Sequence, residues 1–268
     1  MDPSPADSLL HPGVDIEAVH STNPGAAASA MMVYPIARTS SSREREREDN
    51  RVRDMSRRVL NVLVATVLLL LSLPVMVVVA VAVRVSSSGP IIFRQERVGI
   101  DRRRRSTRPP PSVPEGERRK QDHGGKLFQI YKFRTMYVND SDRRQRWASK
   151  DDPRITPVGR FLRAYRLDEL PQLFNVLKGD MNIVGPRPEQ PAIFKELQNN
   201  IGRYRYRQSV LPGITGWAQV NHRYDQSLED VQRKLHYDLE YLKRRSPMED
   251  LAIMARTPTV MLFKQGSQ

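Results

Sequence analysis

The sequence contains no cysteine, which removes a disulfide framework, a thiolate zinc site and a cysteine nucleophile together. Histidine is scarce too. The five residues, at positions 11, 20, 123, 222 and 236, do not fall at metal-ligand spacing, so none is assigned a role. Aromatic residues make up 7% of the chain and none lies in its most basic stretch, 101–125. That stretch lacks the stacking platform of a nucleic-acid arm, and no nucleic-acid partner is expected. No internal repeat is visible. Acidic charge is also in deficit: 44 Lys+Arg face 30 Asp+Glu, a formal net charge of +14. Such a balance suits an anionic partner, whether nucleic acid, a membrane surface or a phosphorylated substrate, and charge alone does not choose among them.

One feature is abundant where a soluble domain would have little. Val59 to Val83 carries no charged residue, and a straight helix of that length would cross a hydrocarbon core about 30 Å thick. The run starts too far from the N-terminus, and is too long, for a cleavable signal peptide. Ser72-Leu73-Pro74 interrupts it past the middle, where proline removes a donor and crowds the preceding turn. Both flanks are basic: Arg43, Arg45, Arg47, Arg51, Arg53, Arg57 and Arg58 precede the run, and Arg84, Arg94, Arg97 and Arg102 to Arg105 follow it. Neither flank suits translocation. The pattern therefore predicts a re-entrant helix that bends at Ser72–Pro74 and returns to the same face, in preference to a single span, with Ser72 helping to satisfy carbonyls freed at the bend. Asn61 and Thr66 carry no signal by themselves.

Residues 1–55, rich in Pro, Ser, Ala and charge, read as a disordered tail. The membrane helix occupies 56–85 and a further domain 86–264. Within that domain, residues 91–98 and 126–133 read as two strands that pair as a hairpin across a flexible basic insertion at 101–125, suited to hovering over anionic membrane lipid. Val158, Phe161, Leu162 and Tyr165 recur at helical spacing, with Arg160, Arg163 and Arg166 on another side, which predicts an amphipathic helix over 156–166. A second helix is expected from Asp168 to about Lys178, ended by Gly179. Two more follow at 226–245 and 249–263. The fold class is α+β, mostly helical.

Asp168 and Glu169 stand side by side at a predicted helix start, where free amides and the dipole favour negative charge. Two readings fit. An acidic residue before a proline-containing first turn can be a simple N-cap. Alternatively, Arg160, Arg163 and Arg166, with Arg154 and Arg187, form a cluster that calls for an anion, and a diphosphate matches guanidinium forks. Glycine- and proline-punctuated loops at 179–188 and 211–221 carry polar side chains on restricted backbones, as loops that line sites do.

GPIIFRQERVG (89–99), KLFQIYKFRTM (126–136), DDPRITPVGRFLRAYRLDELPQLFNVLKGDMNIVGPRPEQP (151–191) and PGITGWAQVN (212–221) occur in this order. On these segments the chain resembles the bacterial sugar transferase family, the monotopic phosphoglycosyl transferases, from about Arg57 to Leu262. The resemblance implies a re-entrant membrane helix, interfacial helices around the active site, a UDP-sugar donor, an undecaprenyl phosphate acceptor and Mg²⁺. It implies a monotopic enzyme on the cytoplasmic face of the bacterial inner membrane, at the first membrane step of polysaccharide or glycoconjugate assembly. Asp168 is then the nucleophile that forms a phosphosugar-aspartyl ester and releases UMP, and Glu169 the Mg²⁺ ligand. Lys132, Arg134, Arg154, Arg163 and Arg187 become substrate contacts. Three departures stand out: the 101–125 insertion is longer than the family's turn, the N-terminal region carries no group of transmembrane helices, as expected of a short form, and Asn182 stands where Ser is usual. The rival reading is a membrane-anchored basic scaffold or nucleic-acid binder whose acidic pair only caps a helix.

Overall fold

The computed structural model describes residues 40–101, 124–138, 152–222 and 227–262. The chain divides into two units, Met1–Glu44 and Arg45–Gln268, and the second carries every strand and all the helices after the first. Most of the 101–125 insertion and of the N-terminal tail lies outside the described residues.

Helix α1 spans Ser40–Ser86 and the strands β1 (Ile92–Val98) and β2 (Leu127–Phe133) come after it. They pair antiparallel, from Ile92 opposite Phe133 to Val98 opposite Leu127, as the two apolar-rich runs suggest. Helix α2 (Pro157–Ala164), a 3₁₀ turn (Leu167–Glu169) and α3 (Gln172–Lys178) come next. Strands β3 (Asn182–Val184) and β4 (Gly213–Thr215) make a short parallel pair, separated by α4 (Pro191–Asn200) and a 3₁₀ turn over Tyr204–Ser209. Helices α5 (Trp217–Asn221), α6 (Leu228–Arg244) and α7 (Pro247–Leu262) complete the described chain. The result is mostly helical with little sheet.

The helix expected to begin at Asp168 begins later. Pro171 takes helical dihedrals but offers no N–H, and α3 propagates from Gln172 onward, leaving the acidic pair in its own tight 3₁₀ turn. Gly179 ends α3 at φ 86°, the left-handed conformation expected of it.

From Glu48 to Ser86, α1 is long and apolar enough to cross a membrane, with a mean hydropathy of 2.9 in its most apolar stretch. The expected break at Ser72–Pro74 does not interrupt the helix, which runs through Pro74. One missing N–H costs a single ladder bond, and the Ser72 hydroxyl donates to the Leu69 carbonyl at 3.2 Å beside it. One stripe of α1 is buried: Asn61, Ala65, Met76, Val79 and Val83. Ala65 joins a core with Ile130, Leu173, Val176 and Val184, and Met76, Val79 and Val83 join a second with Phe133 and Leu162. Much of the remaining surface between Val59 and Val85, including Leu63, Leu70, Leu71, Val77, Val78 and Val81, is exposed and apolar.

Polar contacts fasten this helix at both ends. Arg57 donates to Asp250 on α7 at 3.0 and 3.2 Å and to the Tyr241 hydroxyl on α6, and Tyr241 in turn donates to Asp250 at 2.8 Å. Asn61, read as uninformative in the sequence, accepts from the backbone N–H of Ile183 at 2.6 Å and donates to the Arg57 carbonyl at 2.7 Å. It satisfies buried backbone of β3 that no strand reaches. At the other end Arg134 donates to the carbonyls of Val83, Ser87 and Pro90 at 3.3, 2.6 and 2.5 Å. A cation on carbonyls at a helix C-terminus also complements the helix dipole.

Candidate active site

Backbone constraints bring the acidic pair to β2. The Asn175 side chain accepts from the Tyr131 N–H at 3.0 Å and donates to the Gln129 carbonyl at 2.7 Å, so α3 caps the free edge of β2. Thr156 caps α2 by accepting from the Gly159 N–H at 2.8 Å. Gly159 itself lies against Thr135, whose carbonyl oxygen would be 2.0 Å from any Cβ added there. Helices α2 and α3 are thereby held on the strand that carries Lys132. Between them Arg166 turns the chain in the left-handed region at φ 54°, a costly conformation for arginine that local packing enforces.

Asp168 and Glu169 are each 6% exposed. The Lys132 ammonium lies 2.8 Å from Glu169 Oε1 and 3.8 Å from Asp168 Oδ2. Arg187 reaches Glu169 with both Nη atoms, at 2.7 Å to Oε1 and 3.4 Å to Oε2, and Arg166 lies 4.0 Å from Oε1. Among the described residues Asp168 Oδ1 is buried with no hydrogen-bond partner, and so is the Gln172 amide nitrogen one turn further on. Burial acts on both carboxyls in the same sense, but the outcomes diverge. For Glu169, burial pushes the carboxyl up and Arg187, Lys132 and Arg166 overcome it, holding it well below the ordinary carboxylate range. For Asp168, burial dominates, Lys132 offsets part of it, and the adjacent Glu169 charge adds to the rise. One carboxylate is fixed as an anion; the other is desolvated and underpaired. An N-cap needs neither property, and Asp168 caps nothing: the cap position of its turn belongs to Arg166 and that of α3 to Pro171.

The other sequence-predicted residues separate into two groups. Lys132 and Arg187 are on the pair, and Arg163 is close enough to lower the Asp168 carboxyl. Arg154 instead grips Asp152, at 2.9 Å through Nε and 2.6 Å through Nη2, bonds that draw that carboxyl down to about 2. Arg134 is spent on the end of α1. Sequence reasoning passed over Asn61, Asn175 and Arg207, which act on backbone far away in sequence, and Glu189, which pairs with Arg207 and Lys234. A carboxamide standing in an otherwise charge-free run was the one clue to Asn61.

Among the described residues no cluster of three or more His, Asp or Glu is placed to hold a metal ion. A magnesium ion does not require one, because it commonly takes one or two carboxylates and completes its shell with phosphate oxygens and water. Glu169 Oε2, with its single contact at 3.4 Å, and the unpartnered Asp168 Oδ1 are hard oxygens of the right kind. The donor set fits.

A family model described as bacterial sugar transferase matches residues 52–107 and 112–264. UDP-N-acetylgalactosamine-undecaprenyl-phosphate N-acetylgalactosaminephosphotransferase of Aeromonas hydrophila is 37% identical over 212 residues, 79% of this chain and 45% of that protein. UDP-glucose:undecaprenyl-phosphate glucose-1-phosphate transferase of Escherichia coli K12 is 39% identical over 208 residues, 77% of this chain and 40% of that protein. A protein of the same name from Caulobacter vibrioides is 36% identical over 211 residues, 78% of this chain and 70% of that protein. The chain thus spans less than half the length of the first two relatives. The matched region contains the membrane-length helix, the strand pair and the acidic turn alike, and with that extent of agreement the chain belongs to the bacterial sugar transferase family.

Proposed function

We propose that this chain transfers a sugar 1-phosphate from a UDP-sugar to undecaprenyl phosphate and releases UMP. The observation that carries this reading is Asp168 Oδ1, a buried carboxylate oxygen without a partner among the described residues, in a site where Lys132, Arg163, Arg166 and Arg187 outnumber two carboxylates. The excess of positive charge suits a diphosphate, and the similarity to relatives named for this transfer supports the same chemistry.

In the first displacement Asp168 Oδ1 attacks the phosphorus that bears the sugar. The bond from that phosphorus to the bridging oxygen breaks, and UMP departs with the electron pair. The Asp168 ester so formed is attacked by an oxygen of the lipid phosphate, which regenerates the carboxylate and yields the diphosphate-linked lipid sugar. Lys132 and Arg187 meet charge on the transferring group, and Arg187 presents a fork that suits two oxygens. Glu169, kept ionised, would hold Mg²⁺ through Oε2, and the ion would supply charge neutralisation at the diphosphate.

The nucleophile must be ionised, and its carboxyl titrates above the ordinary value near about 4. Activity is therefore present above that raised value and lost as pH falls through it. With a panel of UDP-sugars and undecaprenyl phosphate, we expect UMP release with an acid limb displaced upward from that of an ordinary Asp carboxyl, because burial raises it. Absence of UMP with every sugar, at any pH, rejects the reading in favour of a membrane-anchored scaffold.

The proposed setting is monotopic. Side chains of α1 on either side of Pro74, Ala65 before it and Val79 and Val83 after it, pack on the same unit, which supports a helix that enters and leaves through one face of the membrane. Phe161, Tyr165, Phe174 and Leu177 on α2 and α3 are exposed near the acidic turn and suit an interfacial position, with the basic surface toward anionic lipid. That face would be the cytoplasmic side of the inner membrane, where nucleotide sugars are available. Because the chain has no cysteine, a single cysteine introduced at residue 20 reports topology directly. An impermeant thiol reagent added to intact cells should leave it unmodified, and labelling there would reject the re-entrant arrangement.

A further inference from the structure

Beneath the loop that carries Arg187 lies a set of buried ions that the proposed chemistry does not use. Arg207 is 1% exposed. It meets Glu189 Oε1 at 3.2 Å and Asp238 Oδ2 at 2.9 Å and donates to the Tyr204 hydroxyl. Lys234 reaches the same Glu189 oxygen at 3.2 Å. As a means of stabilising a core, such a cluster is poor, since well-packed apolar residues of similar volume do as well or better. A different role is visible in the backbone.

Four consecutive carbonyls, from Pro186 to Glu189, each accept from a different donor. The Pro186 carbonyl takes the Gly213 N–H at 3.0 Å, Arg187 takes Arg207 Nη2 at 3.0 Å, Pro188 takes Arg97 Nη1 at 3.1 Å, and Glu189 takes the Val98 N–H at 2.9 Å. Pro186 and Pro188 flank Arg187, so φ is fixed on either side of it as well. A long, flexible side chain reaches Glu169 at 2.7 Å from a backbone that has no freedom left. The two donors that come from side chains are themselves held: half-buried Arg97 donates through Nη2 to Gln95 at 2.6 Å, and buried Arg207 is locked by the cluster.

We infer that Arg97 and Arg207 are positioning residues, which fix the 186–189 backbone so that the Arg187 guanidinium is already aimed at Glu169 and the arriving diphosphate. The inference rests on the transferase reading. Pre-aiming of this kind saves the reorganisation that a free arginine would need in each cycle.

A double-mutant cycle separates positioning from bulk stability. The full-length protein in detergent is assayed for UMP release with the UDP-sugar the wild type uses, comparing Arg207→Met alone, Arg187→Ala alone and both together. With Arg187 present, Arg207→Met should lower kcat about tenfold, the size of effect typical of supporting residues. With Arg187→Ala already in place, the same change should cost less than about twofold, because nothing remains to be aimed. Arg97→Gln, which touches only one of the four carbonyls, should show the same pattern and serves if Arg207→Met does not fold. Equal losses in both backgrounds, or no loss with Arg187 present, overturn the inference while leaving an active transferase. An inactive wild type overturns the transferase reading and this inference with it.

Discussion

Asp168→Asn should abolish UMP release, by at least about a thousandfold in kcat, while leaving the fold intact. The replacement is isosteric, and Asp168 Oδ1 has no hydrogen-bond partner to lose among the described residues. What disappears is a negatively charged oxygen able to attack phosphorus, for which a carboxamide is no substitute. If the pair were merely a helix cap, Asn would serve as well as Asp, since both are preferred there. The comparison is therefore sharp. A variant that releases UMP at the wild-type rate removes Asp168 from the chemistry, whereas loss of turnover with an unchanged thermal midpoint supports the nucleophile. Glu169→Gln is a useful companion, because it takes away the anion that Lys132 and Arg187 share without touching the attacking oxygen.

The largest effect on stability is expected at Asp250. Its side chain is fully buried beneath Arg57, which is 4% exposed. Asp250→Ala leaves that guanidinium in the interior without its buried charge partner, with only Asp54 at 3.9 Å, a loss of about 3–5 kcal/mol. The thermal midpoint in detergent should fall by about 10 °C, and limited proteolysis should open the junction between α1 and α7. Converting both members, Arg57→Met with Asp250→Leu, removes the stranded charge and should recover much of the loss. A midpoint for Asp250→Ala equal to that of wild type would mean that the Arg57–Asp250 pair adds nothing to the hold on α1.

Much of this architecture was legible from local pattern. Two short apolar-rich runs read as the paired strands, the arginine-striped amphipathic run as α2, and Gly179 ended α3 where expected. The charge-free run gave α1, which is helical on both sides of Pro74. The start of α3 was placed four residues early, because proline in a first turn is compatible with two different registers and only packing selects one. Arg134 illustrates the limit at the site. Two residues from Lys132, inside the same basic segment, it reads identically in sequence, yet it serves the end of α1. Glu189, Arg207 and Asp250 were invisible for the reason that they matter: each acts on a residue brought near only by the complete fold.

The grip of Arg134 on the last carbonyls of α1 has a mechanical consequence. Lys132, two residues back along the same backbone, carries the ammonium that faces Asp168. The separation between the foot of a greasy helix and the proposed nucleophile is thus spanned by a few peptide units that Arg134 and Asn175 hold taut at either end. In the proposed membrane setting those units are a fixed spacer. They set the altitude at which a lipid-borne phosphate must arrive, so an acceptor whose headgroup floats too high or too low is rejected by distance before any sugar is read.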